Sequence, residues 1–114
     1  MNGRTAAAVG AIACALAVAL AAYASHGADP TARVRLALAA AIAFGHGLAL
    51  VAIVAREGRL ATATRVAFLT GIVLFSGSLV GAAMFGTSTA LAPAGGIALM
   101  AGWAILAADF LRRS

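Results

Sequence analysis

Two histidines, one cysteine, a Ser-Gly-Ser triplet and three carboxylates are all that this 114-residue chain offers for chemistry. The histidines are His26 and His46, the cysteine is Cys14, and the carboxylates are Asp29, Glu57 and Asp109. An acid/base couple needs two groups side by side, and the carboxylates lie far apart in sequence, with no two of them paired. Ser76-Gly77-Ser78 has no neighbouring base and reads as packing, with hydroxyls bonding back to the carbonyls one turn earlier. A single cysteine excludes an internal disulfide and a cysteine-only metal cluster. Phosphate-binding loops, dinucleotide fingerprints and zinc-protease motifs are all missing from the sequence.

The elements that position these groups are four apolar runs at about 6–25, 36–55, 66–85 and 90–108. Each is as long as a helix needs to be to cross a ~30 Å hydrocarbon core at 1.5 Å per residue. The chain is 64% hydrophobic and only 10% charged, against about 25% charged in a soluble domain. This leaves room for a single integral membrane domain over 1–114 and no second one. The net charge of +5 comes from eight Arg placed singly or in pairs beside the run ends. Such flanking charges anchor helices among lipid headgroups, so no nucleic-acid partner is implied. Ala22-Tyr23-Ala24 resembles a signal-peptidase site, but the apolar stretch before it exceeds the 7–15 residues of a signal core, so it is read as the first span.

Short connections force an all-α antiparallel bundle, up-down-up-down. Asp29-Pro30 should end one helix and start the next, Gly58 should follow the second helix as its C′ residue, Thr62 or Thr64 should cap the third, and Pro93 suits the first turn of the fourth. Arg4, Arg56, Arg59, Arg65, Arg112 and Arg113 fall on one side, and Arg33 and Arg35 on the other. The excess of Arg places both termini in the cytoplasm. Helices in lipid associate through close fit, which small residues permit. Gly77 and Gly81 form a GxxxG on the third run, and Ala94, Ala98 and Gly102 repeat every four residues on the fourth, so these two helices are expected to pack tightly. Trp103 is either an interfacial anchor or a packing residue.

Within this frame His46 stands out. It lies eleventh in the second run, near the bilayer midplane, where ionisable groups are functional candidates. A neutral ring is expected there, with one donor and one acceptor to satisfy. Ser76 and Cys14 lie at similar depth, and His46–Ser76 is the expected hydrogen bond. The alternatives are a proton or ligand site and a polar clasp between helices, and the clasp is preferred. His26 sits at the outer end of the first run, where it can reach water and pair with Asp29. The two histidines differ in depth by roughly 20 Å at 1.5 Å per residue, too far for one haem or one metal to bridge.

Four segments carry a family resemblance. They are Ala22-Tyr23-Ala24-Ser25-His26-Gly27, Phe44-Gly45-His46-Gly47-Leu48-Ala49, Leu74-Phe75-Ser76-Gly77-Ser78-Leu79, and Pro93-Ala94-Gly95-Gly96 with Ala101-Gly102-Trp103. Together the chain resembles the small four-helix membrane proteins grouped with transmembrane protein 256 and its bacterial relatives, labelled domain of unknown function 423. The resemblance implies four spans in a bacterial inner membrane and no established activity. The family often has Tyr-Gln shortly before the second histidine, where this chain has Ile42 and Ala43, and glycines where it has Ala21 and Ala24. A polar site built on that Tyr or Gln would be incomplete here, which adds weight to a structural His46. Pro93 with Gly95-Gly96 opens the last helix with uncrowded backbone, allowing close approach by the third.

The expected function is therefore non-enzymatic: an accessory or interaction protein of the lipid bilayer, packing as a homo-oligomer or within a larger membrane complex, with no cofactor or metal. The alternative is an oligomeric transporter or channel of protons or a small solute using His46.

Overall fold

Capping side chains decide where the helices begin. In the computed structural model, which describes residues 1–113, Asn2 accepts a hydrogen bond from the Thr5 amide at 2.7 Å and opens α1 (Gly3–His26). Asp29 does the same for α2 (Pro30–Ala52), accepting from the Ala32 amide at 2.9 Å, with Pro30 in the first turn. The third span, Arg59–Phe85, is one continuous rod made of α3 (Arg59–Gly71), a π-helical segment (Ile72–Ser76) and α4 (Gly77–Phe85). Gly86, at φ 70°, closes it with a left-handed cap that only glycine adopts cheaply. The last helix, α5 (Ala92–Arg113), carries Pro93 in its first turn. The four rods are each long and apolar enough to cross a membrane, and no strand occurs among the described residues. In hydrocarbon, backbone polar groups must be satisfied within the segment, which leaves helices as the solution for such runs.

Helix bounds and apolar runs differ, most often because the helix extends past the run where an Arg stands. The second begins at Pro30 rather than Leu36 and ends at Ala52 rather than Ala55, the third begins at Arg59 rather than Val66, and the fourth spans 92–113 rather than 90–108. Arg favours helix as much as Leu does, so a charge ends the hydropathy without ending the helix. The first connection shrinks to Gly27–Asp29, and Arg33 and Arg35 ride on α2. Gly58, at φ 103°, precedes α3 instead of following α2, whose C-cap is Ile53. Thr62 and Thr64 lie inside α3, and the Thr64 hydroxyl donates to the Leu60 carbonyl at 2.9 Å.

Consecutive spans run antiparallel. Gly10 of α1 lies against Gly47 of α2, Ser76 reaches Ala39 of α2, and Gly95 of α5 backs onto Phe75. The rods do not close into a ring. α1 packs along α2, and among the described residues its backbone comes close to the third span only at α3; beyond that, Leu20 of α1 and Val80 and Ala83 of α4 pack on the same α1–α2 cluster of Ala24, Ala28, Ala32 and Leu36. The third span changes neighbours along its length: α3 packs on α5, whereas α4 packs chiefly on α2. The π segment is the pivot. It is clamped from one side by the Ser76 hydroxyl, which donates to the Ala39 carbonyl at 2.8 Å, and from the other by Gly95, where a Cβ would collide with the Phe75 amide nitrogen.

Close approach is glycine-dependent, but through other glycines than the GxxxG pair. A Cβ on Gly10 would lie 2.5 Å from the Gly47 carbonyl oxygen, and one on Gly47 2.6 Å from that of Gly10. Gly71, Gly95 and Gly102 serve the α3–α5 seam. Gly77 has nothing within 4 Å, and Gly81 faces Thr87 of its own following loop. On α5 the buried positions are Ala92, Gly95, Leu99, Gly102, Leu106 and Asp109, a three-four repeat. Ala94 is exposed and Ala98 half-buried, so of the anticipated four-residue stripe only Gly102 is fully buried.

Candidate functional site: a ring cluster around His46

The His46 ring lies between two helices that otherwise stand apart. Its Nε2 accepts a hydrogen bond from the Trp103 indole Nε1 at 2.9 Å, and its Nδ1 lies 2.8 Å from the Ile42 carbonyl oxygen, one turn back on α2. Indole nitrogen can only donate, so Nε2 must be the acceptor and the ring proton sits on Nδ1, donating to Ile42. A neutral imidazole has one donor and one acceptor, and both are used.

Phe68 completes the cluster from α3. Its ring meets His46 edge-on at 5.3 Å between centroids and 76°, and Trp103 at 4.9 Å and 53°. The Trp103 and His46 rings are 5.7 Å apart at 63°. Such edge-to-face contacts are each worth ~0.5–1.5 kcal/mol beyond burial. Phe68 reaches this place because Gly102 has no side chain: a Cβ there would lie 2.6 Å from the Phe68 ring. One missing Cβ thus seats Phe68 fully buried, and Phe68 in turn packs against His46. Trp103 keeps 47% of its surface exposed, so its indole also faces the lipid.

The expected His46–Ser76 bond does not form. Ser76 is buried and gives its hydroxyl to Ala39, and Cys14 gives its thiol to the Phe44 carbonyl at 3.5 Å. The three polar groups bind three separate carbonyls of α2, and Ser76, eight residues along the span from Phe68, lies about 12 Å from the level of His46 rather than at the expected similar depth. His26 and Asp29 do not form an ion pair among the described residues: His26 is exposed and Asp29 is spent on its helix cap. Trp103 is the partner that the sequence reading missed. Its signal was the indole N–H, which buried or lipid-facing tryptophan normally satisfies.

A second polar group, also missed, sits where α2 ends. Arg65 is only 2% exposed and donates through Nη2 to the carbonyls of Ile53, at 3.0 Å, and Arg56. Ile53 is the C-cap of α2 and Arg56 lies in the turn beyond it, so Arg65 ties the end of α2 and its exit turn to α3. Arg56 pairs through Nε with the fully buried Asp109 carboxylate at 2.8 Å and lies over the Phe110 ring at 4.1 Å. Helices α2, α3 and α5 are tied together at this end by one acid and two bases. At the other end Arg33 plays the simpler part, donating through Nε to the carbonyl of Ala24 in the last turn of α1 at 3.2 Å and through Nη2 to that of Ala28 in the connection after it at 3.3 Å.

Four apolar rods, an open edge and a saturated midplane histidine define a small multi-pass helical membrane protein. Residues 20–96 match the family model described as "Protein of unknown function (DUF423)", and the chain belongs to that family. The matched stretch contains His46 and Phe68 but stops before Trp103. No curated protein and no solved structure matches the chain.

Proposed function

We propose that this chain is a non-enzymatic accessory protein of the bacterial inner membrane, with both termini in the cytoplasm, whose role is to pack against another membrane component. The observation that carries this reading is the unclosed edge. α1 and α4 both lean on α2 with no close backbone approach between them, an apolar groove of about 700 Å³ lies along them, and a Cβ on Gly77 of α4 would meet nothing within 4 Å. Small residues with free space beside them are what transmembrane helices use to meet a partner closely. The fully engaged His46 weighs against the transport alternative, because a proton carrier needs a free ring nitrogen and a neighbour to hand its proton to.

The test is affinity purification of the full chain from native membranes, with quantitative mass spectrometry. A stoichiometric membrane complex that a Gly77→Leu variant fails to retain supports the accessory role. A clean homo-oligomer that conducts protons after reconstitution, and stops when His46 is replaced, would overturn it in favour of transport. Reporter fusions at each terminus test the orientation: both should report the cytoplasm.

A further inference from the structure

Arg33 stands at the mouth of an alanine-walled groove. The groove runs between α1 and α2, has a volume of about 490 Å³, and is lined by Ala21 of α1 and by Ala37, Ala41 and Phe44 of α2, with Arg33 at its end. From Arg33 to Phe44 α2 rises ~16 Å, close to half of a ~30 Å hydrocarbon core. The groove therefore has the depth of one lipid leaflet, with a cation at headgroup level and an aromatic floor near the midplane.

The guanidinium is held in place over this groove. Two of its donors are tied to the Ala24 and Ala28 carbonyls, and among the described residues no carboxylate lies within ion-pair distance of it. Its remaining donors are free for an anion, and a guanidinium recognises phosphate oxygens through paired N–H bonds. The wider groove between α1 and the third span, about 700 Å³, is lined by no charged residue and lacks such a feature.

We propose that the α1–α2 groove is a binding site for one anionic phospholipid, with its phosphate on Arg33 and one acyl chain along the alanine wall. Charge at the mouth selects an anionic headgroup, and the leaflet-deep apolar channel selects a lipid over a free phosphate.

The test uses the full chain in detergent, read by native mass spectrometry and by thermal unfolding with added lipid. Phosphatidylglycerol should be retained about fivefold better than phosphatidylcholine of the same chain length, the ratio expected for one basic residue near an anionic headgroup. Inorganic phosphate alone should neither stabilise the protein nor displace the lipid. Arg33→Gln should bring the ratio close to one. Arg35→Gln removes the same charge from the same end and should leave the ratio unchanged. Ala41→Leu, at an exposed position that fills the groove, should lower retention of both lipids while Arg33 stays in place. Equal retention of the two lipids by the unaltered chain would overturn the proposal. So would equal effects of the two Arg variants, unimpaired retention in Ala41→Leu, or full displacement by phosphate.

Discussion

Gly71 and Gly77 lie on one continuous span, six positions apart, and have opposite surroundings. A Cβ on Gly71 would strike the Leu99 side chain, whereas one on Gly77 would meet nothing within 4 Å. At about 100° per residue six positions already turn the two glycines roughly 120° apart, and the span's neighbour changes between them from α5 to α2. One extra residue in a turn, as in the π-helical segment, offsets everything beyond it by about 100°. Below the pivot the span presents its small residues to α5, and above it the GxxxG pair is turned away. A glycine is a packing residue only where a neighbour comes to meet it.

The largest effect should come from filling the seam where glycine is in use. Gly95→Leu drives a side chain into the Phe75 backbone and should cost about 3 kcal/mol of stability in detergent unfolding, if the protein still folds. A change smaller than that of any α4 glycine variant would break the contrast between the two halves.

The ring cluster should give the next effect. Trp103→Phe keeps an aromatic ring beside Phe68 but removes the donor to His46, and His46→Leu removes the acceptor. Each should cost about 1 kcal/mol, and the double variant should cost clearly less than the sum, because both singles break the same bond. Strict additivity would show that the two residues are not coupled. Nitrogen chemical shifts of His46 supply an independent reading: the Nδ1–H tautomer in the unaltered chain, and a changed Nε2 signal in Trp103→Phe.

Much of this architecture was legible in the residues, and the illegible parts share a cause. Four spans follow from length and hydropathy, and the first-turn roles of Pro30 and Pro93 follow from their own stereochemistry. The depth of His46 follows from counting. Its partner does not, because the third span starts at Arg59 rather than Val66, which brings Phe68 and not Ser76 level with His46, and because partner choice also depends on how each helix is rotated about its axis. A regular 3.6-residue period carried through Phe75 and Ser76 gives the wrong rotation for all that follows. Four-residue counting on α5 likewise joins Ala94 and Ala98 to Gly102, while the buried face follows a three-four alternation through Gly95, Leu99, Gly102 and Leu106. Arg65 shows a different limit. Beside an apolar run it reads as a headgroup anchor, and only the fold brings the end of α2 over it.

Ser76→Ala should have a smaller effect than the ring variants, about 0.6 kcal/mol, the mean for hydrogen bonds between helices in a bilayer protein. The hydroxyl is one of two clamps on the π segment, and Gly95 remains as the other. Restoration of a regular α-helix in this variant, seen as a changed amide exchange pattern over 72–76, would show that the serine alone holds the bulge.

Gly77→Ala should change stability least, and in the opposite direction. The added methyl meets no atom of this chain, while alanine is favoured over glycine inside a helix by up to about 1 kcal/mol. The purified protein should therefore be as stable as the unaltered one or slightly more so. Gly77→Leu should also be tolerated in detergent, because the same open space receives the larger side chain. If α4 is the face that meets another membrane component, the leucine variant should then lose that component in native membranes while keeping its own fold. A Gly77→Leu protein that unfolds in detergent would mean that this side of α4 is already covered within the chain, and the contrast with Gly71 would fall with it.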